Sequence, residues 1–313
     1  MNSDALAQRV IAGDRRATAR MISLVEKGGA GLGRVMQELH PATGSSYSIG
    51  ITGAPGAGKS TLTERLVGRA RLDNHHVAVV AIDPSSPFSG GALLGDRVRM
   101  QSHATDSGVF IRSMAARGHL GGLSLAAPEA VRVLEAAGAE YIFIETVGVG
   151  QAEVEISDAC DTTLVVVNPG WGDAVQTAKA GLMEVADIFV VNKADRPGAR
   201  EAVRELRGML DLADAGWKPA IVAVTATKGE GIEELWVAVE KHRGYQEEHG
   251  LLEARRRARV EREIKDIVAE RHRARVAVDE AELLACMTDE VVARRLDPYS
   301  AADAIDRALN LSE

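Results

Sequence analysis

Gly53-Ala54-Pro55-Gly56-Ala57-Gly58-Lys59-Ser60 fits the pattern G-x-x-x-x-G-K-[ST], and its flanks give the pattern meaning. The apolar run Tyr47–Thr52 before it reads as a strand. Thr61-Leu62-Thr63-Glu64-Arg65-Leu66 after it reads as the first turns of a helix. Strand, glycine loop and helix in that order make a phosphate cradle. The glycines let backbone N–H groups approach an anion with no Cβ in the way, and the helix N-terminus adds partial positive charge. Gly53, Ala54, Pro55, Gly56, Ala57, Gly58, Lys59, Ser60 and Thr61 are thus the candidate phosphate-binding residues. Lys59 would reach the β- and γ-phosphates, and the Ser60 hydroxyl would hold Mg2+. A glycine-rich turn with no ligand is the competing reading, and it leaves the two flanks without a reason.

Working outward, strand-like runs alternate with helical ones from Ser46 to about His242. The strand candidates are Tyr47–Thr52, Val77–Ile82, Val109–Ser113, Tyr141–Glu145, Thr163–Val167, Ile188–Val191 and Ile221–Val224. Most are nearly continuous aliphatic runs, as strands covered on both faces should be. The expected fold class is α/β, a doubly wound and mostly parallel sheet, with its ligand at the C-terminal strand ends. Residues 1–45 read as an N-terminal helical extension. Leu6, Val10 and Ile11, then Met21, Ile22 and Val25, share apolar faces, and Asp14 is placed to cap the second helix. Ala42-Thr43-Gly44-Ser45-Ser46 reads as a linker into a nucleotide domain over 46–243. Residues 244–313 read as a helical arm. Leu251–Val276 is dense in Arg and Glu, with a narrow stripe of Val260, Ile264, Ile267 and Val268. The stripe suits either a solvated helix packed on its own domain or an arm buried against a second copy. Asp279–Leu311 reads as further helix, broken at Asp297-Pro298.

Asn192-Lys193-Ala194-Asp195 follows a strand and matches N-K-x-D. A carboxylate at Asp195 accepts from both the ring N1–H and the exocyclic amino group of guanine. Adenine presents a lone pair at N1 and no amino group at C2, and sites built on such bonds reject the wrong ligand by about 10⁴-fold or more. Asn192, Lys193 and Asp195, with Thr225-Ala226-Thr227 as a second wall, are therefore candidates for holding the base of GTP or GDP. Asn and Asp capping a helix is the alternative. Asp83 ends a strand, Asp96 lies in the loop Ser85–Arg99, and Glu145 opens Glu145-Thr146-Val147-Gly148. With Ser60 these acids form the candidate Mg2+ set, since Mg2+ takes oxygen ligands and keeps several waters. Position 149 is Val, where Ras-like proteins carry a Gln that orients the attacking water. Hydrolysis without a partner should be slow unless Gln151, Asp96 or a partner's group substitutes. Catalytic candidates are Lys59, Asp96, Glu145 and Lys179, the last on a helix after the loop Asn168-Pro169-Gly170-Trp171-Gly172-Asp173.

Bulk composition narrows the field further. The chain has 313 residues, 46% hydrophobic and 26% charged, which is ordinary for a soluble protein. A net charge of −8 and only 4% aromatics argue against nucleic-acid and anionic-membrane partners. No apolar run is long enough to span a bilayer. Two distant cysteines, Cys160 and Cys286, read as reduced thiols, and with no signal-peptide pattern the expected location is the cytoplasm.

Gly53–Thr61, Ala81-Ile82-Asp83-Pro84-Ser85-Ser86-Pro87, Gly95-Asp96-Arg97, Ile144-Glu145-Thr146-Val147-Gly148-Val149-Gly150-Gln151, Asn168-Pro169-Gly170 and Asn192–Asp195 together resemble the MeaB/ArgK family of P-loop GTPases. These are chaperones of cobalamin-dependent methylmalonyl-CoA mutase. The resemblance implies a homodimer formed through the C-terminal arm. It implies that GTP binding and hydrolysis gate adenosylcobalamin loading and protection of that mutase or a related acyl-CoA mutase. Ser60, Asp83, Asp96 and Glu145 then fall in the Mg2+ and switch region, and Lys179 on a third switch segment. Thr225 departs from the commoner Ser. Two other classes stand beside this reading: a nucleotide-dependent kinase or ATPase tied to lysine/arginine/ornithine transport, and a metal-insertion GTPase.

Overall fold

The structure is a computed structural model that describes residues 3–28, 31–84, 100–103, 105–116, 126–146, 152–170, 184–211, 216–278 and 280–311. The helices described are α1 (Ser3–Ile11), α2 (Arg15–Lys27), α3 (Leu32–Leu39), α4 (Lys59–Leu72), α5 (Ala126–Ala136), α6 (Ala152–Ala159), α7 (Ala199–Leu210), α8 (Ile232–Glu248), α9 (Leu251–Val278), α10 (Ala281–Val292) and α11 (Pro298–Leu311). The strands are β1 (Tyr47–Gly53), β2 (Val77–Pro84), β3 (Val109–Ala116), β4 (Tyr141–Thr146), β5 (Thr162–Val167), β6 (Ile188–Asn192) and β7 (Ala220–Val224).

The strands form one seven-stranded sheet in the order β3-β2-β4-β1-β5-β6-β7, and every neighbouring pair is parallel. Each aliphatic run is a strand, as expected. β2 and β3 extend past their aliphatic runs because they go on pairing with each other, Asp83 with Ala115 and Pro84 with Ala116. From β1 the chain moves out to β2 and β3, returns to β4 beside β1, and then crosses to β5, β6 and β7. The strand order therefore turns back at β1, where doubly wound sheets hold their ligands.

Both faces are covered, which explains the lack of polar alternation in the strands. On one face Leu62, Leu66 and Val67 of α4 and Leu235, Trp236 and Val239 of α8 pack against Ile49, Ile51, Phe143 and Leu164. On the other, Leu134 of α5 and Ile156 of α6 pack with Val80, Ile142 and Ile144. Leu6, Val10, Met21, Ile22 and Val25 of the N-terminal helices belong to that same cluster. Ile11, expected on the same apolar face, is exposed instead because it ends α1 as the chain turns away. Asp14 caps α2 as expected, accepting from the N–H groups of Arg16 (2.9 Å) and Ala17 (3.0 Å). Leu206 and Leu210 of α7 close over Val165, Phe189 and Val191.

The chain divides into two compact units, Met1–Arg256 and Arg257–Glu313. In the second, Asp297 caps α11 by accepting from the N–H groups of Tyr299 (2.9 Å) and Ser300 (3.1 Å), which fits the break expected at Pro298. Arg275 of α9 donates to the Leu309 carbonyl at 3.1 Å. Val260, Ile264 and Val268 of the expected stripe are exposed. No helix among the described residues is long and apolar enough to cross a membrane.

Candidate functional site

β1 ends at Gly53 and α4 begins at Lys59, so the glycine loop sits at the carboxyl end of the central strand. Two of its glycines are required by the protein itself. Gly53 has φ +131°, and a Cβ there would lie 2.1 Å from the Val166 carbonyl oxygen of β5. Gly58 has φ +92°, and a Cβ there would lie 2.4 Å from the side-chain amide nitrogen of Asn192. Gly56, by contrast, faces open space, where the absence of a Cβ leaves room for a ligand. α4 starts without a side-chain cap, so its first N–H groups face the loop.

The charged groups of the loop are held by neighbours. Lys59 is buried, and its Nζ donates to the carbonyls of Gly53 (2.6 Å) and Ala54 (3.1 Å). Ser60 Oγ donates to Glu145 Oε1 at 2.5 Å, and both residues are buried. Glu145 stands next to the loop because β4 pairs with β1 at Ile51 and with β2 at Ala81. Thr146 Oγ1 donates to Thr52 Oγ1 at 3.3 Å beside them.

The guanine motif meets the loop through one side chain. Asn192, at the end of β6, donates from Nδ2 to the Ala57 carbonyl at 2.8 Å. Its Oδ1 accepts from the N–H groups of Lys193 (2.8 Å) and Ala226 (3.2 Å). Lys193 takes a left-handed φ of 57° and reaches back to the Gly56 carbonyl at 2.6 Å. Asp195 keeps an exposed carboxylate, paired with Lys228 at 3.2 Å. Thr225 and Ala226 are buried, and Thr227 is exposed. The structure thus brings together Gly53–Thr61, Glu145, Asn192, Lys193 and Thr225–Thr227. Asp195 follows in the same loop as Asn192.

This constellation of motifs identifies the chain at the level of family. Residues 18–281 match the family described as Methylmalonyl Co-A mutase-associated GTPase MeaB. The chain belongs to the MeaB family. It is a P-loop GTPase of that family, whose ligands are GTP and GDP. A relative from Pyrococcus abyssi is 51% identical over 311 residues, covering 96% of this chain and 95% of its own. The GTPase ArgK of Escherichia coli is 37% identical over 242 residues, covering 74% of this chain and 73% of its own. The crystal structure of an LAO/AO transport system kinase matches with a TM-score of 0.73 at 25% identity, over 99% of both chains.

The remaining candidates are placed less fully. Asp83 lies in β2, two residues beyond the Ala81 that pairs with Glu145, and its side chain is outside the described residues. Asp96, Val149, Gln151, Trp171 and Lys179 are outside them altogether. Two contacts at the MeaB-family site had not been read from the sequence. Lys228 pairs with Asp195, and its position directly after Thr225-Ala226-Thr227 was the available signal. Arg65 of α4 donates from Nε to the Ala226 carbonyl and from Nη2 to the Thr227 carbonyl, each at 2.9 Å. It lies in the helical run Thr61–Leu66 with no motif to mark it.

Proposed function

We propose that this chain binds GTP and GDP at Gly53–Thr61, Asn192–Asp195 and Thr225–Thr227. We propose further that the GTP state gates cobalamin loading and protection of methylmalonyl-CoA mutase or a related acyl-CoA mutase. The observation that carries the nucleotide reading is Asn192. One side chain bonds the phosphate loop at Ala57 and the base loop at Ala226, so two motifs distant in sequence share one site. The mutase role is supported by the description of the matched family.

In this reading Lys59 leaves the carbonyls of Gly53 and Ala54 for the β- and γ-phosphates, a stronger, charge-assisted partner. Asp195 accepts the two guanine donors. Ser60 and Glu145 offer a hydroxyl and a carboxylate 2.5 Å apart, hard oxygen donors of the kind Mg2+ takes, with Asp83 and Asp96 as further candidates. Bound there, Mg2+ would supply positive charge against the charge developing on the phosphoryl oxygens. Positioning and charge neutralisation by Lys59 and the loop N–H groups would carry most of the catalysis of water attack on the γ-phosphate. Val149 leaves that water without the Gln of Ras-like proteins, so turnover should be slow without a partner. The exposed stripe Val260, Ile264 and Val268 supports a homodimer joined through α9. A cytoplasmic location fits this client.

Calorimetry in magnesium buffer tests the nucleotide reading: GDP should bind orders of magnitude more tightly than ADP. Equal affinity would favour the kinase or ATPase class instead. Capture of a cobalamin-dependent mutase from native cytosol with a non-hydrolysable GTP analogue present, and not with GDP, tests the client. Sedimentation of Ile264→Glu against the parent chain tests the dimer, which should dissociate.

A further inference from the structure

Arg65 joins the two ends of the nucleotide site. It projects from α4, the helix whose first turn carries Lys59 and Ser60, and its guanidinium takes two successive carbonyls of the base loop. We infer that Arg65 is a positioning residue that fixes Thr225–Thr227 against the phosphate-binding helix and so sharpens selection of guanine. This inference rests on the guanine-nucleotide reading above.

The base loop is a tight turn with its own internal bonds. Lys228 N–H donates to the Thr225 carbonyl at 2.9 Å, Gly229 N–H to the Ala226 carbonyl at 3.2 Å, and Thr225 N–H to the Glu230 carbonyl at 3.0 Å. Those bonds shape the turn without tying it to the phosphate cradle. Asn192 and Arg65 supply that tie from opposite sides. Asn192 accepts from the Ala226 N–H, and Arg65 donates to the carbonyls of Ala226 and Thr227. Ala226 is therefore held at its N–H by the guanine motif and at its carbonyl by α4.

The residue type suits the task. Arg presents a rigid planar fork of donors that serves two carbonyls at once, where a Lys ammonium is a single flexible point. Arg65 itself is exposed, so these bonds should add little to global stability. Their effect falls on the placement of the loop. Base discrimination is the property most sensitive to that placement, because a hydrogen-bonding site rejects an analogue only while its partners are held in register.

The test compares three ligands against the full chain and the variants Arg65→Ala and Arg65→Lys, by calorimetry in magnesium buffer. GDP carries the whole guanine pattern, IDP lacks the exocyclic amino group, and pyrophosphate fills only the cradle. In Arg65→Ala, GDP affinity should fall about tenfold while pyrophosphate changes by less than about twofold, and the GDP-to-IDP ratio should shrink. Arg65→Lys should lie between the two. An unchanged GDP-to-IDP ratio in Arg65→Ala overturns the inference, as does an equal loss for all three ligands, which marks a merely structural contact. Failure of the unaltered chain to bind GDP would instead remove the guanine reading on which this rests.

Discussion

At the amino-terminal ends of β1, β5 and β6 lies a second polar cluster, built unlike the one at the carboxyl ends. Asp161 is buried and accepts from the Ser48 N–H at 2.9 Å and from Arg256 Nε (3.2 Å) and Nη2 (2.9 Å). Arg255 Nη1 donates to the Asp161 carbonyl (2.7 Å) and to Asp187 Oδ2 (2.9 Å). Gln246 of α8 donates to that same carbonyl at 3.0 Å and accepts from the Tyr47 hydroxyl at 3.1 Å. Here charges meet opposite charges. At the nucleotide end a buried ammonium meets neutral backbone carbonyls, and a metal-type hydroxyl meets the nearest carboxylate. Buried charges need partners in either place. Ion pairs and carbonyl acceptors together lock one end, whereas at the other the carbonyl partners of Lys59 can give way to a phosphate.

Substitutions should therefore separate stability from binding. Asp161→Ala removes the carboxylate from Arg256, which keeps the Gly44 and Ser46 carbonyls, and the acceptor of the Ser48 N–H. It should cost about 2–4 kcal/mol in denaturant unfolding, below the full figure for a broken buried pair because Arg256 is partly exposed. GDP affinity per folded molecule should be unchanged. Lys59→Ala should do the reverse, with GDP binding weakened about a hundredfold or more, or roughly 3 kcal/mol, and unfolding shifted by less than about 1 kcal/mol. Wild-type-like GDP affinity in that variant would break the comparison. Asp195→Asn replaces an acceptor pair by one acceptor and one donor. GDP affinity should fall about thirtyfold, and XDP, whose C2 carbonyl accepts from the new amide, should gain.

The strands were legible because burial on both faces leaves an unbroken aliphatic run, and the glycine loop because its backbone geometry forces residue types. Asp14 was legible as a cap, and Asp297-Pro298 as a break between helices, for the same local reason. Arg255 and Arg256 were not. In an arginine-rich helix they read as solvated charge, and only the fold brings them to Asp161 and Asp187. The loop glycines serve two ends, only one of which is legible locally. Gly53 and Gly58 make room for Val166 and Asn192, neighbours distant in sequence, while Gly56 makes room for ligand. Arg65 escaped notice because it binds main-chain carbonyls, and carbonyls leave no signature in a sequence.

The smallest expected effect sharpens the comparison at the locked end. His242 of α8 is buried, with Nδ1 2.8 Å from the Thr162 hydroxyl, its ring against Trp217, and Nε2 3.4 Å from Asp187. Burial pushes its pKa below the ordinary value. Asp187 opposes that shift, and Arg255 adds to it. Above about pH 6.5 neither the folded nor the unfolded chain protonates this imidazole, so it adds no pH dependence. As pH falls through that value the unfolded chain takes up a proton that the folded one refuses. Stability then declines, by no more than about 1.4 kcal/mol per pH unit for one group, until the depressed folded pKa is reached. Denaturant midpoints of the parent chain and His242→Gln at pH 7.5, 6.5 and 5.5 isolate this group, because every other titrating side chain is common to both. The parent should lose ground to the variant as the pH drops. Parallel curves would mean that His242 protonates in place, and that the locked end is looser than its ion pairs imply.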